Sequence, residues 1–276
     1  MTNEIKVHII HTGKVIVDKA LPFHHPNDRP LAWTGFFRPK SDLISVPVSA
    51  YLIEHPKGLI LIDTGWNKVN QTKWGQIKNL SFQYPVNKAE LRAGETIDCQ
   101  LSKLGYQASD IDYVLMSHLH CDHADGLRLV KDAKRVLVSE KEWHAGQTDH
   151  FHYLPHEWKG VKMETFAYQQ AGDGPHHRSF DLFGDGSIKE VWVPGHSAGL
   201  SATIIQSYNP NQYMLLAADV GYAAKSWEED LTPGVVINRQ EAATSLNWVK
   251  QKSQESNNIA TLANHDLEVK PEIITL

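Results

Sequence analysis

The chain is predicted to be a layered α/β protein, and three observations carry that expectation. Apolar runs of strand length are mixed with helix-patterned segments in both halves of the sequence. No repeat, low-complexity tract or Pro/Gly/Ser linker divides the 276 residues, so a single domain over 1–276 is expected. The chemistry-bearing residues fall where apolar runs end, which is where a sheet positions short loops.

Val7–Ile10 and Val46–Ile53 read as strands, and Leu59–Asp63 follows the turn His55-Pro-Lys-Gly58, so these last two form a hairpin. Asp63-Thr-Gly65 ends it. From Glu95 to Leu104, Ile97, Leu101 and Leu104 share one helical face, and Ser109 or Asp110 then leads into the strand Tyr113–Met116. Arg135–Val138 is a strand, and Ser139 with Glu142 makes a capping box for a short helix. Ser187–Val193, Ala202–Gln206 and Tyr213–Ala218 add strands, with Asn209-Pro-Asn211 as the turn between the last two. Arg239 to Lys252 is helical with Ala243, Leu246 and Val249 in line, and Ile259–Leu262 is the final strand.

With 41% hydrophobic and 21% charged residues the chain can bury a sizeable core. A net charge of −5 without a basic block gives no reason to expect nucleic acid. The amino terminus lacks the basic start and apolar stretch of a signal peptide, and no segment approaches the roughly 18 apolar residues of a membrane helix. A cytoplasmic protein with no membrane partner is therefore expected. Cys99 and Cys121 cannot form a disulfide framework, which fits a reducing compartment.

The densest chemistry lies in Ser117-His-Leu-His-Cys-Asp-His-Ala-Asp-Gly126, where His118, His120, Asp122 and His123 sit within six residues. Imidazole nitrogen and carboxylate oxygen suit a borderline cation such as zinc, and a dry cluster of this kind is costly without one. If the chain stays extended beyond Met116, His118, His120 and Asp122 share one face, and His123 joins where the backbone turns. Cys121 then points away as a small buried filler. His196, Asp219 and His265 each follow a later strand and complete a set of seven, enough for two metal ions with open positions.

His118-x-His120-x-Asp122-His123, followed in order by His196, Asp219 and His265, resembles the dinuclear metallo-β-lactamase superfamily. The resemblance covers nearly the whole chain and implies a four-layer αβ/βα sandwich. Carried over residue by residue, it implies that His118, His120 and His196 hold one zinc, Asp122, His123 and His265 the other, and Asp219 bridges them. Two Zn2+ per chain are expected, with cobalt, iron or manganese as alternatives. Asp219 argues against the β-lactamases of the superfamily, which lack this carboxylate. Glyoxalase II enzymes continue into a helical carboxyl-terminal region, whereas this chain stops eleven residues after His265. No substrate-gripping arm of the tRNA-processing nucleases is visible.

Within the superfamily the chain is similar to the N-acyl-homoserine lactonases, or quorum-quenching lactonases. The block from Tyr51 to Gly65, the run Asp219-Val-Gly-Tyr222 and the short ending after Asn264-His-Asp266 carry that likeness. It implies that Tyr222 contacts the substrate carbonyl. The substrate is expected to be a small lactone or ester. Paired metals roughly 3.5–4 Å apart share a water whose pKa falls toward about 7, so a bridging hydroxide attacks the lactone carbonyl. Tyr222 and one zinc stabilise the oxygen gaining charge, and Asp122 protonates the departing alkoxide. Departures are Asp125, where many relatives have glycine, and the variable segment Pro22–Ser45.

An acylated substrate needs an apolar wall. Trp33, Phe36 and Phe37 in Pro22–Ser45, and Phe151 with Tyr153, Leu154 and Trp158 in a histidine-rich stretch, either supply it or pack under loops. The other histidines, including His150, His152, His156, His176 and His177, are expected mostly on the surface or in structural roles.

Three rivals stand beside this reading. A thioesterase of the glyoxalase II type or a phosphodiesterase would use the same metal pair. Gly195-His-Ser197-Ala-Gly199 fits a nucleophile elbow, but a β-branched run follows it where a helix is required. A non-catalytic zinc-binding module would usually have a closed, cysteine-rich site. The oligomeric state is open, a homodimer included.

Overall fold

The computed structural model describes residues 4–208 and 212–276. In chain order its strands are β1 (Lys6–Asp18), β2 (Leu43–His55), β3 (Gly58–Ile62), β4 (Lys88–Glu90), β5 (Tyr113–Leu115), β6 (Arg135–Ser139) and β7 (Met163–Phe166). They continue with β8 (Gln169–Gln170), β9 (Arg178–Asp181), β10 (Ile188–Trp192), β11 (Ser201–Gln206), β12 (Tyr213–Leu216), β13 (Asn258–Leu262) and β14 (Ile273–Thr275). The α-helices are α1 (Lys73–Leu80), α2 (Ile97–Lys103), α3 (Cys121–Ala124), α4 (Glu140–Thr148), α5 (Ala224–Glu228) and α6 (Arg239–Ser253).

Two sheets result. The first has the order β14-β1-β2-β3-β5-β6-β7, with β4 also on β1; the second runs β13-β12-β11-β10-β9-β8. Side chains alternate across each strand, and that period of two builds the layers. In the first sheet Tyr51, Ile53, Ile60, Ile62, Leu115 and Leu137 face inward to meet Ile205, Met214 and Leu216 of the second. Their neighbours Leu52, Leu61, Val114 and Val136 face outward and are covered by Ile97 and Leu101 of α2 and by Leu127. On the far side Val191, Ala202, Ile204 and Leu215 are covered by Trp227 of α5 and Leu246 and Val249 of α6. Helix, sheet, sheet and helix make the expected αβ/βα sandwich.

Several elements differ from the sequence-based expectation. The first strand is much longer than Val7–Ile10, because Gly13, at φ 86°, lets β1 shift register against β2 between His11 and Lys14 and continue. Helix α2 ends at Lys103, and Leu104 is exposed. In α6 the buried face is Ala242, Ser245, Leu246 and Val249, so Ala243 points to solvent. Ile259–Leu262 is not the final strand, since β14 returns to pair antiparallel with β1. The hairpin forms as expected, with His55 opposite Gly58. The turn Asn209-Pro-Asn211 lies outside the described residues. No helix among the described residues is long and apolar enough to cross a membrane.

Candidate metal centre and substrate cleft

The ligand residues gather at one end of the sandwich because five strand ends meet there. β3, β5 and β6 run parallel in the first sheet, and β12 and β13 run parallel in the second, so their carboxyl ends lie together. His118 and His120 follow β5, His196 lies between β10 and β11, Asp219 follows β12 and His265 follows β13. β2 ties the two sheets together at this end. Asn264 Nδ2 donates to Ser49 O at 3.0 Å, and Ser49 N donates to Asn264 O at 2.9 Å.

The cassette departs from a simple extended segment. His118 precedes the helical turn, His120 caps α3 with an extended backbone, and Asp122 and His123 sit inside that turn. Thr64 N and Gly65 N both donate to His123 O, at 3.0 and 3.1 Å, and the Thr64 hydroxyl adds a third bond at 2.7 Å. Asp63 adopts φ 58°, a left-handed conformation uncommon for a non-glycine residue. It accepts from Ser117 N at 2.9 Å and Ser117 Oγ at 2.7 Å, and it lies 2.8 Å from His123 Nδ1. Cys121 is buried as expected.

The donor atoms fall into groups that match those implied by the resemblance. His118, His120 and His196 form one, Asp122, His123 and His265 another, and Asp219 joins His118 and His123; within each, the ligand atoms lie within 4.8 Å of one another. Asp219 divides its oxygens between the two trios. Oδ2 lies 3.4 Å from His196 Nε2 and 3.9 Å from His118 Nε2, while Oδ1 lies 3.3 Å from both His123 Nε2 and His265 Nε2. His265 Nε2 is also 3.5 Å from Asp122 Oδ2.

Four of the five ligand imidazoles are aimed by a second contact on the other nitrogen, His123 by Asp63 as above. His118 Nδ1 lies 3.0 Å from Ser117 Oγ, His196 Nδ1 2.8 Å from Val235 O, and His265 Nδ1 2.7 Å from Pro47 O. The carbonyl bonds fix Nδ1–H tautomers, which leaves Nε2 lone pairs directed into the centre. His120 is the exception, presenting Nδ1 at 2.8 Å from His196 Nε2.

Two observations show that the set fits metal. The Nε2 atoms of His118, His123 and His265 and Oδ1 of Asp219 are buried without a hydrogen-bond partner, a costly arrangement that coordination would relieve. The protonation pattern agrees. Burial, helped by neighbouring imidazoles, holds His118 and His120 well below 6.5, and burial lowers His196 against the pull of Asp219. For His123 and His265 burial acts the same way but is outweighed by carboxylates, Asp219 foremost, and both rise. Burial would raise Asp219, yet His265 and His123 hold it well below 3.8. Cations seated among these groups would take over the compensation those protons provide.

Tyr222 is buried beside the centre, its ring stacked on His265 with centroids 4.6 Å apart and set edge-on to His196 at 6.1 Å. Burial, with the Asp219 and Asp122 charges, pushes its phenol well above 10. A cleft of about 170 Å³ opens from this point; Val15, Val17, Leu21, Trp33, Phe36, Phe82, Val86 and Phe151 make its apolar wall, and His120, Asp122, His196 and Tyr222 line it as well. Phe37 does not line this cleft, because φ 59° turns it outward to full exposure. Tyr153, Leu154 and Trp158 are buried in the interior.

Other expectations resolve here. Residues 195–199 bend and enter β11 with no helix after them, and Ser197 Oγ donates to Glu142 Oε2 at 2.7 Å, so the nucleophile-elbow geometry is absent. Ser139 caps α4 through Glu142 N at 3.1 Å, but the Glu142 carboxylate does not close the box. It is buried, accepting Leu119 N at 3.0 Å and Gly199 N at 2.9 Å as well as Ser197, and so ties the cassette to the His196 loop. Asp125 is buried, accepting Asn67 N at 2.9 Å, Asn70 Nδ2 at 2.6 Å and Asn79 Nδ2 at 3.0 Å. Gly195, at φ 132°, brings the His196 loop against α6, where a Cβ would collide with the Ala242 backbone.

A sandwich of two sheets with a His/Asp cluster at one end, bridged by a single carboxylate, defines a class. The metallo-beta-lactamase superfamily model matches residues 44–260, and the chain belongs to that superfamily. It is 26% identical over 226 residues to N-acyl homoserine lactonase AttM of Agrobacterium fabrum, covering 80% of this chain and 82% of that one. It is 24% identical over 230 residues to N-acyl homoserine lactonase AiiA of Bacillus thuringiensis subsp. kurstaki, covering 82% and 84%. A solved N-acyl homoserine lactone hydrolase, with its product N-hexanoyl-L-homoserine at the catalytic metal centre, shares the fold at TM-score 0.76 and 22% identity over 98% of both chains. AidC, a dizinc quorum-quenching lactonase, shares it at TM-score 0.65 and 17% identity over 99% of this chain and 94% of its own.

Proposed function

We propose that this protein hydrolyses the ring of N-acyl-homoserine lactones or related lactones. The observation that carries the reading is the Asp219-centred ligand cluster opening, beside Tyr222, into an apolar cleft. The lactonase names of its relatives AttM and AiiA support it.

His118, His120 and His196 would hold one divalent cation and Asp122, His123 and His265 the second, with Asp219 shared. Two such ions, zinc by the N/O donor chemistry, would supply a lowered water pKa and polarisation of the substrate carbonyl. The protein's own groups do the rest. Tyr222 donates its phenolic hydrogen to the carbonyl oxygen as that oxygen gains charge. Water adds to the carbonyl carbon, the ring C–O bond breaks, and Asp122, at the cleft floor, carries the water's proton to the departing alkoxide. The product is an open hydroxy acid. The apolar wall holds the acyl tail and excludes bulk water from the reacting carbonyl.

A panel of N-acyl-homoserine lactones with short and long chains, simple γ- and δ-lactones, S-lactoylglutathione and a bis-aryl phosphate tests the assignment. Lactone turnover is expected to be fastest. Faster cleavage of the thioester or the phosphate contradicts it.

A further inference from the structure

His152 was expected to be a surface or structural histidine, but its ring lines the cleft, with its centroid 6.4 Å from that of His120. Only 26% of its side chain meets solvent. Asp149, which closes α4, pins it from behind: Oδ2 lies 2.6 Å from His152 Nδ1, and Oδ1 accepts the backbone N–H groups of Phe151 and His152 at 3.0 and 3.2 Å. Gln83 Nε2 holds the same loop by donating to Phe151 O at 3.0 Å.

A carboxylate at Nδ1 selects the tautomer with its hydrogen on that nitrogen, in which Nε2 is the acceptor, and Nε2 has no protein partner among the described residues. Other polar side chains on this wall are engaged elsewhere. Thr34 Oγ1 donates to Leu31 O, Gln83 donates to Phe151 O, and the Asn87 amide faces Cys121 Sγ at 3.7 Å. Tyr222 shares a hydrogen bond with the ligand carboxylate Asp219, whereas His152 is oriented by Asp149, a carboxylate outside the ligand set, and it stands in a lining that is otherwise mostly apolar.

We propose that His152 is a substrate-positioning residue whose Nε2 accepts the amide N–H of an N-acylamino lactone. The inference rests on the lactonase reading and names the substrate feature that the cleft selects. In such a lactone the N–H sits on the carbon next to the reacting carbonyl. A carbonyl held at the ligand cluster therefore brings the amide to the neighbouring wall, and the acyl chain beyond it runs toward Phe36, Phe82 and Phe151. A lactone bearing an alkyl group in place of the amide offers His152 nothing to accept.

The test compares N-hexanoyl-homoserine lactone with an α-alkyl-γ-butyrolactone of similar length, using the metal-loaded enzyme and His152→Phe and His152→Gln, with metal content measured in each. His152→Phe is expected to raise KM for the amide substrate roughly tenfold, the worth of one hydrogen bond, with kcat little changed. The alkyl lactone keeps its KM, and His152→Gln, which retains an acceptor, recovers part of the loss. Equal effects on both substrates, or none on either, overturn the inference while lactonase activity stands. If the unsubstituted enzyme opens neither lactone, the lactonase reading fails and the inference with it.

Discussion

The floor and the outer wall of the cleft are built by opposite means. On the floor, His118, His123, His196 and His265 are buried, and each has its second nitrogen fixed by a serine, a carboxylate or a backbone carbonyl. On the wall, Phe36, Phe82 and Phe151 are each more than half exposed, and Phe82 and Phe151 lean on one another with centroids 5.9 Å apart. These floor residues sit at or just past strand ends where a rigid sheet fixes them, whereas the three wall aromatics, unlike Val15 and Val17 of β1, sit on connecting segments that can change without disturbing the core. On the proposed reading, the chemistry is held by the fold and the choice of acyl tail by these loops.

Substitutions on the two surfaces should separate accordingly. The largest effect is expected from Asp219→Ala on the floor. Removing the shared carboxylate should strip metal and lower turnover by roughly 10³-fold or more, since several kcal/mol of charge stabilisation depends on it; elemental analysis beside kinetics checks both. Full metal with full turnover would break the contrast. Tyr222→Phe comes next. It should lower kcat on the order of 10²-fold, the usual loss for one donor to a developing oxyanion, with metal content unchanged. Loss of metal in that variant would make Tyr222 a support for His265 and not a donor.

On the wall, Phe151→Ala should raise KM for long-chain lactones roughly three- to tenfold, the cost of losing part of a buried aromatic contact. Short-chain substrates and kcat should be unaffected, and an equal effect on both chain lengths would show that the wall does not sort tails. Away from both surfaces, Glu190 on β10 is buried, with Thr203 Oγ1 donating to it at 2.8 Å, and burial raises its carboxyl from 4.5 to about 7. The folded state thus holds this proton more tightly than the unfolded chain does, so stability falls as pH rises from about 4.5 through 7. Glu190→Gln should gain on the order of 3 kcal/mol at pH 8, with the gain shrinking toward pH 5, as read by denaturant unfolding at each pH. It should leave turnover unchanged.

What could be read from the sequence follows the same division. The cassette is local, so spacing alone brings its four residues together, and His196, Asp219 and His265 are marked by the strands before them. The apolar runs that hold Tyr51-Leu-Ile53 and Ile60-Leu-Ile62 are legible as strands, and in the structure their alternate residues pack into layers on opposite faces of the sheet. Contacts made across the fold leave no such mark. Nothing near His265 in sequence points to Pro47 O, and nothing near His196 points to Val235 O. The outward turn of Phe37 depends on a left-handed backbone that an aromatic residue rarely adopts, so composition placed it wrongly beside Phe36. Ala243 misled because Ala242 next to it is chemically identical and only the direction of the core chooses between them. β14 is three residues long and gains its stability by joining an existing edge of β1. His152 was obscured by the abundance of histidine around it; the nearby Asp149, three residues earlier, was the available signal.

The central claim is that the seven His and Asp side chains bind two divalent ions on which lactone hydrolysis depends. Metal content and turnover of N-acyl-homoserine lactone, measured on the same purified sample before chelation, after chelation and after metal is restored, test it most directly. The account predicts close to two equivalents per chain, parallel loss of metal and activity, and recovery of both. Undiminished lactone turnover by protein stripped of metal would contradict it.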